Sequence, residues 1–307
     1  MEEYPRTPEE FDALFKTEKR CRDYLFRLRW PDGFRCPRCH HTRAWPVGTV
    51  RFQCAQCNYQ VSVTAGTVFQ DTHRPLRLWF RAVWWITSQK TGVSALGLQR
   101  VLGLGSYKTA WTWLHKLRRA MVRPGRDRLS GRIEVDDTYL GAPEEKRQGR
   151  GTRKKAVLVV AAQEDGRGTG RIRMRRVKDC SAESLLGFIE DSVELGSTIH
   201  TDGWQGYAGL EKKGYRHEVT EIAHSGKTGS QLLPRVHRVV SLLKRWLSGT
   251  HQDAVRHEHL DYYLDEFTFR FNRRTSNYRG KLFYRLVQQA ANVAPVPYHL
   301  VKHQEKS

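Results

Sequence analysis

Two Cys-x-x-Cys pairs near the N-terminus, Cys36 with Cys39 and Cys54 with Cys57, constrain this chain more than any other feature. Fourteen residues separate the pairs, slightly fewer than two zinc knuckles usually leave, and the hairpin between such knuckles is variable. Four thiolates so spaced can close a tetrahedral shell around one Zn²⁺. The stretch from Phe34 to Phe69 is too short to build a deep apolar core. A metal would supply much of its folding free energy, on the order of 10 kcal/mol or more. Two redox motifs or two disulfides would use the same residue type. A thioredoxin-type motif needs a βαβ context that this segment lacks, and nothing in the sequence argues for an oxidising compartment. The reading is a structural zinc ribbon, which is a binding module and points to a partner.

Charge suggests the partner. Lys and Arg number 53 against 32 Asp and Glu, a formal net charge of +21, with a pI near 10.0. That is the electrostatic footprint of a nucleic-acid binder. No basic amphipathic helix stands out as a membrane-surface element, and no apolar run approaches the ~20 residues of a membrane span. The N-terminus, MEEYPRTPEE, is acidic and polar and does not read as a secretory signal. The expectation is a cytosolic protein. Cys21 and Cys180 then read as small buried hydrophobes.

Residues 1–30 carry apolar positions at three- and four-residue steps and predict helix, stopped by Trp30-Pro31-Asp32-Gly33. The ribbon is placed at 31–69, with short strands at Arg51–Gln53 and Tyr59–Val63. Residues 70–125 read as three helices. The last two are joined by Gly103-Leu104-Gly105-Ser106, with Ser94 as a cap before the first of them. A helix pair joined by a glycine-containing turn follows helix-turn-helix grammar, although an ordinary helical hairpin follows it too. In the DNA-binding reading the second helix presents Lys108, Thr109, Arg118 and Arg119. Past a polar linker the period becomes strand-like: Arg132–Leu140, the apolar run Ala156–Gln163, and Gly170–Val177. A helix over Ser181–Leu195 and a strand over Ser197–Thr201 follow. This order predicts an α/β domain with a mixed sheet, placed at 126–290. Helices are expected at 234–247 and 259–272, a basic loop at 144–155, and a tail at 291–307. The stretch Tyr278–Tyr284 yields no assignment.

On the first of these strands Glu134 and Asp136 share one face and Asp137 the other. Asp202 closes the strand Ser197–Thr201. A carboxylate on one strand and another at the mouth of its neighbour can converge on Mg²⁺ or Mn²⁺. Two such ions suit phosphoryl transfer. The same residues also serve as strand-end and turn residues, since Asp-Gly is a common turn.

The stretches RWPDGFRCPRCH, FQCAQCNYQVSVTAGTVF, VDDTYLG, IHTDGWQGYAGL, KRWLSGTHQ and HLDYYLDEFTFRFNRR occur in this order and span nearly the whole chain. Together they resemble bacterial insertion-sequence transposases of the DDE type, in the ISXO-type branch with an N-terminal zinc ribbon. The resemblance implies a ribonuclease-H-like core and metal-dependent DNA strand cleavage and strand transfer at element ends. It also implies double-stranded DNA partners (terminal repeats and target), a homo-oligomer on that DNA, and a place with the bacterial nucleoid. Asp136 and Asp202 match the first two catalytic positions and the Mg²⁺ or Mn²⁺ ligands. The third position stands seven residues ahead of Lys244 and falls on His237, where relatives carry Glu, Asn or His. Imidazole is a poor Mg²⁺ ligand but acceptable to Mn²⁺. Glu266 is the alternative third acid. Lys244 would meet a DNA phosphate, with Arg245 beside it. Arg270, Arg273 and Arg274, with Lys213, Lys154, Lys155 and the stretch 171–176, would line a groove for DNA. Trp204 and Tyr207 would stack on unpaired bases, or sit in the core. A competing reading is a non-enzymatic DNA-binding protein with a decayed catalytic domain, and a third is a nuclease without strand transfer.

Overall fold

A computed structural model describes residues 2–123, 125–141, 155–220 and 228–302. The chain forms two compact units, residues 1–123 with 275–307 and residues 124–274. The expected basic loop at 144–155 lies, apart from Lys155, outside the described residues.

The first unit opens with two helices, α1 (Pro8–Leu14) and α2 (Glu18–Arg29). The sequence reads as one helical stretch, but Thr7 and Thr17 each cap a separate helix by accepting a backbone N–H, from Glu10 and Arg20. An antiparallel sheet follows, β1 (Ala44–Val47), β2 (Arg51–Cys54) and β3 (Gln60–Ser62), in that order. Then come α3 (Leu76–Ser88), α4 (Ala95–Leu102) and α5 (Tyr107–Ala120). α3 begins at Pro75, which offers no side-chain cap. The Glu18 carboxylate takes that role, accepting the Leu76 and Arg77 N–H groups at 3.0 and 2.8 Å. Ser94 caps α4, and Gly103 closes it at φ 61°, so α4 and α5 are joined by the short turn expected. Phe11, Phe15, Tyr24 and Phe80 build an aromatic core with Phe283.

The second unit is a five-stranded mixed sheet. Its strands are β4 (Arg132–Leu140), β5 (Ala156–Asp165), β6 (Gly168–Val177), β7 (Thr198–Thr201) and β8 (Arg216–Val219), with α6 (Ala182–Ser192) between β6 and β7. The order across the sheet is β6-β5-β4-β7-β8. The pairs β4–β5 and β5–β6 are antiparallel, while β4–β7 and β7–β8 are parallel. This is the mixed α/β sheet expected of a ribonuclease-H-like core. α6 covers one face through Leu185, Phe188 and Ile189, packed on Ile133, Val135, Val159 and Ala161. α7 (Gly229–Leu232), α8 (Pro234–His251) and α9 (Leu260–Phe271) follow β8. α8 and α9 cover the other face. Val236, Val239, Leu243 and Leu247 of α8 meet Leu140, Leu158, Val160 and Ala162. Residues 134 and 136 of β4 point toward that second layer.

The chain then returns to the first unit as α10 (Arg279–Ala290) and α11 (Tyr298–Lys302). Residues 279–290, expected within the catalytic segment, therefore form a helix whose buried Phe283 joins the aromatic core of the other unit.

Candidate functional site

The four ribbon thiols come together. The Cys36 and Cys57 sulfurs are 3.6 Å apart, those of Cys39 and Cys54 3.5 Å, and all four ligand atoms lie within 4.8 Å of one another. Zn–S bonds of about 2.3 Å in a tetrahedron place sulfurs about 3.8 Å apart, so the donor set fits Zn²⁺. Each knuckle turns back through a left-handed residue after its second cysteine, His40 at φ 62° and Asn58 at φ 56°. Cys36 accepts the His40 N–H, and Cys54 the Asn58 N–H. No disulfide joins them. Burial pushes the Cys21 thiol up to about 12, which leaves it an inert core residue. Cys180 is half-buried, its sulfur 3.1 Å from the Tyr139 hydroxyl.

The second constellation lies on the face of β4 under α8. The β4–β7 ladder pairs Arg132 with Thr198 and Glu134 with His200. Asp136 and Asp202 each lie two residues further on, Asp136 in the middle of β4 and Asp202 just past the end of β7, so they stand level where the β4–β7 ladder stops. Asp136 is largely shielded and His237 about one-third exposed, with His237 Nε2 3.5 Å from Asp136 Oδ2. Burial pushes the His237 imidazole below the usual histidine range; the Glu134 carboxylate opposes that shift and Lys244 reinforces it. Lys244 is exposed on α8. Seven residues are about two turns and 10.5 Å, so it shares the flank of His237. It also borders a cavity of about 590 Å³ with Tyr139, Lys155, Ser248, Asp253 and His257.

Asp202 also serves its turn, accepting the Trp204 N–H at 3.1 Å ahead of Gly203 at φ 81°. Among the described residues, the four cysteines are the one set of three or more such ligands whose atoms all lie within 4.8 Å of one another. Asp136, Asp202 and His237 thus do not close a single-ion cage. Two cations ~3.5–4 Å apart would require a wider spread. Glu266, the alternative third acid, is fully buried and accepts from Arg270 Nε at 2.8 Å.

The basic residues divide. Lys108 and Arg245 are exposed, and Thr109 and Arg119 partly so; the Lys108 ammonium lies 4.0 Å from the Tyr298 ring centroid. Arg118 is 1% exposed, and this conformation withholds it from DNA. Arg270 is spent on buried Glu266. Arg273 donates to the Phe269 carbonyl, and Arg274 to those of Phe271, Gly170 and Thr169, tying the end of α9 to the sheet. Within the stretch 171–176, Arg175 pairs with Asp191 and Arg176 with Asp261, while Arg173 is buried. Lys213 pairs with Glu190. Lys154 lies outside the described residues. Tyr207 is a fully buried core residue and cannot stack on a base; Trp204 is 37% exposed and donates its indole N–H to the Cys180 carbonyl.

The ISXO2-like transposase domain matches residues 128–272, the segment that forms the sheet and its covering helices. A transposase zinc-ribbon domain matches residues 16–60, around the four cysteines. The chain carries an ISXO2-like transposase domain. It is also 28% identical over 275 residues to an uncharacterized protein in transposable element ISH50 of Halobacterium salinarum, covering 83% of this chain and 91% of the relative. In this transposase no helix among the described residues is long and apolar enough to cross a membrane.

Proposed function

We propose that this transposase cuts DNA at the ends of an insertion sequence and joins the cut ends to target DNA. Asp136, Asp202 and His237 would be its active-site residues. The observation that carries this reading is the 3.5 Å approach of His237 Nε2 to Asp136 beside the strand mouth at Asp202, inside the segment matched by the transposase domain. Asp136 and Asp202 would hold two Mg²⁺ or Mn²⁺ ions, with His237 as the third donor. Such ions activate the attacking oxygen and stabilise the leaving oxygen of a phosphodiester. Asp136 and Asp202 supply hard oxygen donors and fix where the scissile phosphate sits. His237, held neutral by burial, offers a nitrogen lone pair, or takes a proton from water near neutral pH. Lys244 would hold a neighbouring phosphate. The zinc ribbon, α4–α5 and Arg245 would position double-stranded DNA without reading the chemistry.

The test is strand cleavage and strand transfer with candidate element ends in Mg²⁺ and Mn²⁺. Asp136→Asn and Asp202→Asn should each remove cleavage and leave DNA affinity within about twofold, because positioning contacts lie elsewhere. Cleavage that survives both substitutions would refute the assignment. DNA binding with no cleavage under any metal would leave a DNA-binding protein with an inactive domain. Cleavage without joining would leave a nuclease.

A further inference from the structure

Helix α8 carries His237 but starts without a cap of its own. Its N-cap, Leu233, has no side-chain acceptor, and Pro234 occupies the first turn. The first N–H groups of a helix need acceptors, and the helix dipole favours an anion there. The acceptor comes from the sheet. Glu134 Oε2 accepts the Arg235 and Val236 N–H groups at 2.7 and 3.0 Å. Glu134 Oε1 accepts from the Arg235 guanidinium at 2.8 Å. Glu134 is 1% exposed, and a carboxylate so buried is costly unless paired and hydrogen-bonded. Arg235 extends the clamp. It donates to the Gly168 and Gly166 carbonyls at 2.9 and 3.0 Å and lies 3.0 Å from Glu164. Arg132 bridges Glu164 to Glu218 and faces His200 Nδ1 at 3.2 Å. One chain of alternating charges thus spans β8, β4, β5 and α8.

The clamp borders the candidate active site on both partners. Glu134 precedes Asp136 by two residues on the same strand face, about 6.6 Å along β4. Arg235 precedes His237 by two residues, about 3 Å along α8. We propose that Glu134 and Arg235 are positioning residues that fix the first turn of α8 on β4 and so hold His237 at Asp136. This rests on the transposase reading in taking Asp136 and His237 as active-site residues. Neither Glu134 nor Arg235 touches DNA or metal in this assignment; both act through the helix.

The experiment uses the full chain with Glu134→Gln and, as the milder change, Arg235→Lys. Two measurements are made on each: amide hydrogen exchange across 234–240, and cleavage of an element-end duplex under single-turnover conditions at saturating DNA. Exchange should accelerate in 234–240 and stay unchanged in α6. The cleavage rate should fall about a hundredfold, the scale of a 1 Å misplacement, with DNA affinity within about twofold. A purely structural role would reduce folded protein, so rate and bound fraction would fall together. Unchanged exchange in 234–240 overturns the proposal whatever the activity. So does faster exchange with a wild-type cleavage rate. Absence of cleavage by the wild-type chain counts against the transposase reading alone, because the exchange measurement still decides whether Glu134 holds the helix.

Discussion

Replacing His237 by Glu turns the candidate site into a measurable metal switch. Glu and His side chains have similar reach, so the new carboxylate oxygen falls near the present Nε2, 3.5 Å from Asp136 Oδ2. Burial holds His237 below the usual histidine range, so at pH 7.5 the wild-type ring is neutral and the substitution adds a full negative charge. Two unit charges at that distance repel by about 1 kcal/mol in bulk water and about 5 kcal/mol at an effective dielectric constant of 20. The site is partly open, with His237 37% and Asp136 16% exposed, so screening brings the cost to about 2 kcal/mol. For a unit of about 150 residues that lowers the melting temperature by about 4–8 °C without metal. A divalent cation bound between the carboxylates reverses the sign, adding about 2.7 kcal/mol at a hundredfold excess over its dissociation constant. The assay is thermal unfolding of wild-type and His237→Glu protein in chelator, then in Mg²⁺, Mn²⁺ and Ca²⁺. The variant should melt lower than wild type in chelator and recover in each metal. A His237→Glu protein that melts like wild type in chelator and does not respond to cations would refute the idea that positions 136 and 237 share a metal site.

Three further outcomes follow from the same geometry. Metal analysis should find one Zn²⁺ per chain, and Cys54→Ser should release it and unfold the ribbon while residues 124–274 keep their own melting transition; protein purified without chelator and free of zinc would contradict this. DNA binding should weaken steeply with salt, each neutralised phosphate adding about 0.9 to the log–log slope, so a flat titration would argue against a phosphate-dominated interface. Burial holds His200, His217 and His237 below the usual histidine range, so the unfolded chain binds more protons than the folded one around pH 6. Stability is then fully present above the unfolded value of about 6.5 and is lost as pH falls through and below it; melting at pH 5.5 should lie below melting at pH 7.5, and the reverse order would exclude this linkage.

The centre of the sheet was legible because burial writes itself into the sequence of β5, the strand beside Asp136. Ala156–Gln163 is nearly all apolar, as a strand covered on both faces must be. β1 and β8 were not legible. Each has four residues with no fully buried position, too short and too exposed to show a period. α10 was hidden by its start, Arg279-Gly280, which reads as a turn. The glycine is there for space: a Cβ at residue 280 would lie 1.7 Å from the Pro5 carbonyl oxygen. Net charge pointed to DNA, but not to which cations serve it. Arg118 is buried, Arg270 pairs with Glu266 on its own helix, and Arg175 and Arg176 pair with Asp191 and Asp261; only the Arg270–Glu266 spacing of four leaves a local signature. Glu134 shares a face with Asp136 by simple alternation. Its role depends on a helix start that arrives 101 residues later, so no local pattern could reveal it.

The position of the candidate site follows from where the sheet stops pairing. β4 stays paired with β5 through Leu140, while its ladder with β7 ends at Glu134 and His200. Beyond that point β7 turns away at Asp202-Gly203, with Gly203 in the left-handed region that glycine adopts without strain. The edge of β4 facing β7 is therefore left without ladder partners at Asp136. On the face that Asp136 shares, the apolar layer of β4 and β5 packs under α8. Asp136 and His237, partly exposed, border both packed protein and solvent. That setting strengthens their electrostatics relative to bulk water and still admits a charged substrate. Carboxylates already stand there at Asp136 and Asp202, with Glu134 two residues before Asp136 on the same strand face. A neutral imidazole at position 237 adds a nitrogen lone pair beside them without adding to their mutual repulsion. Under the proposed assignment, the site would hold together without metal and bind hard cations less tightly than an all-carboxylate site would.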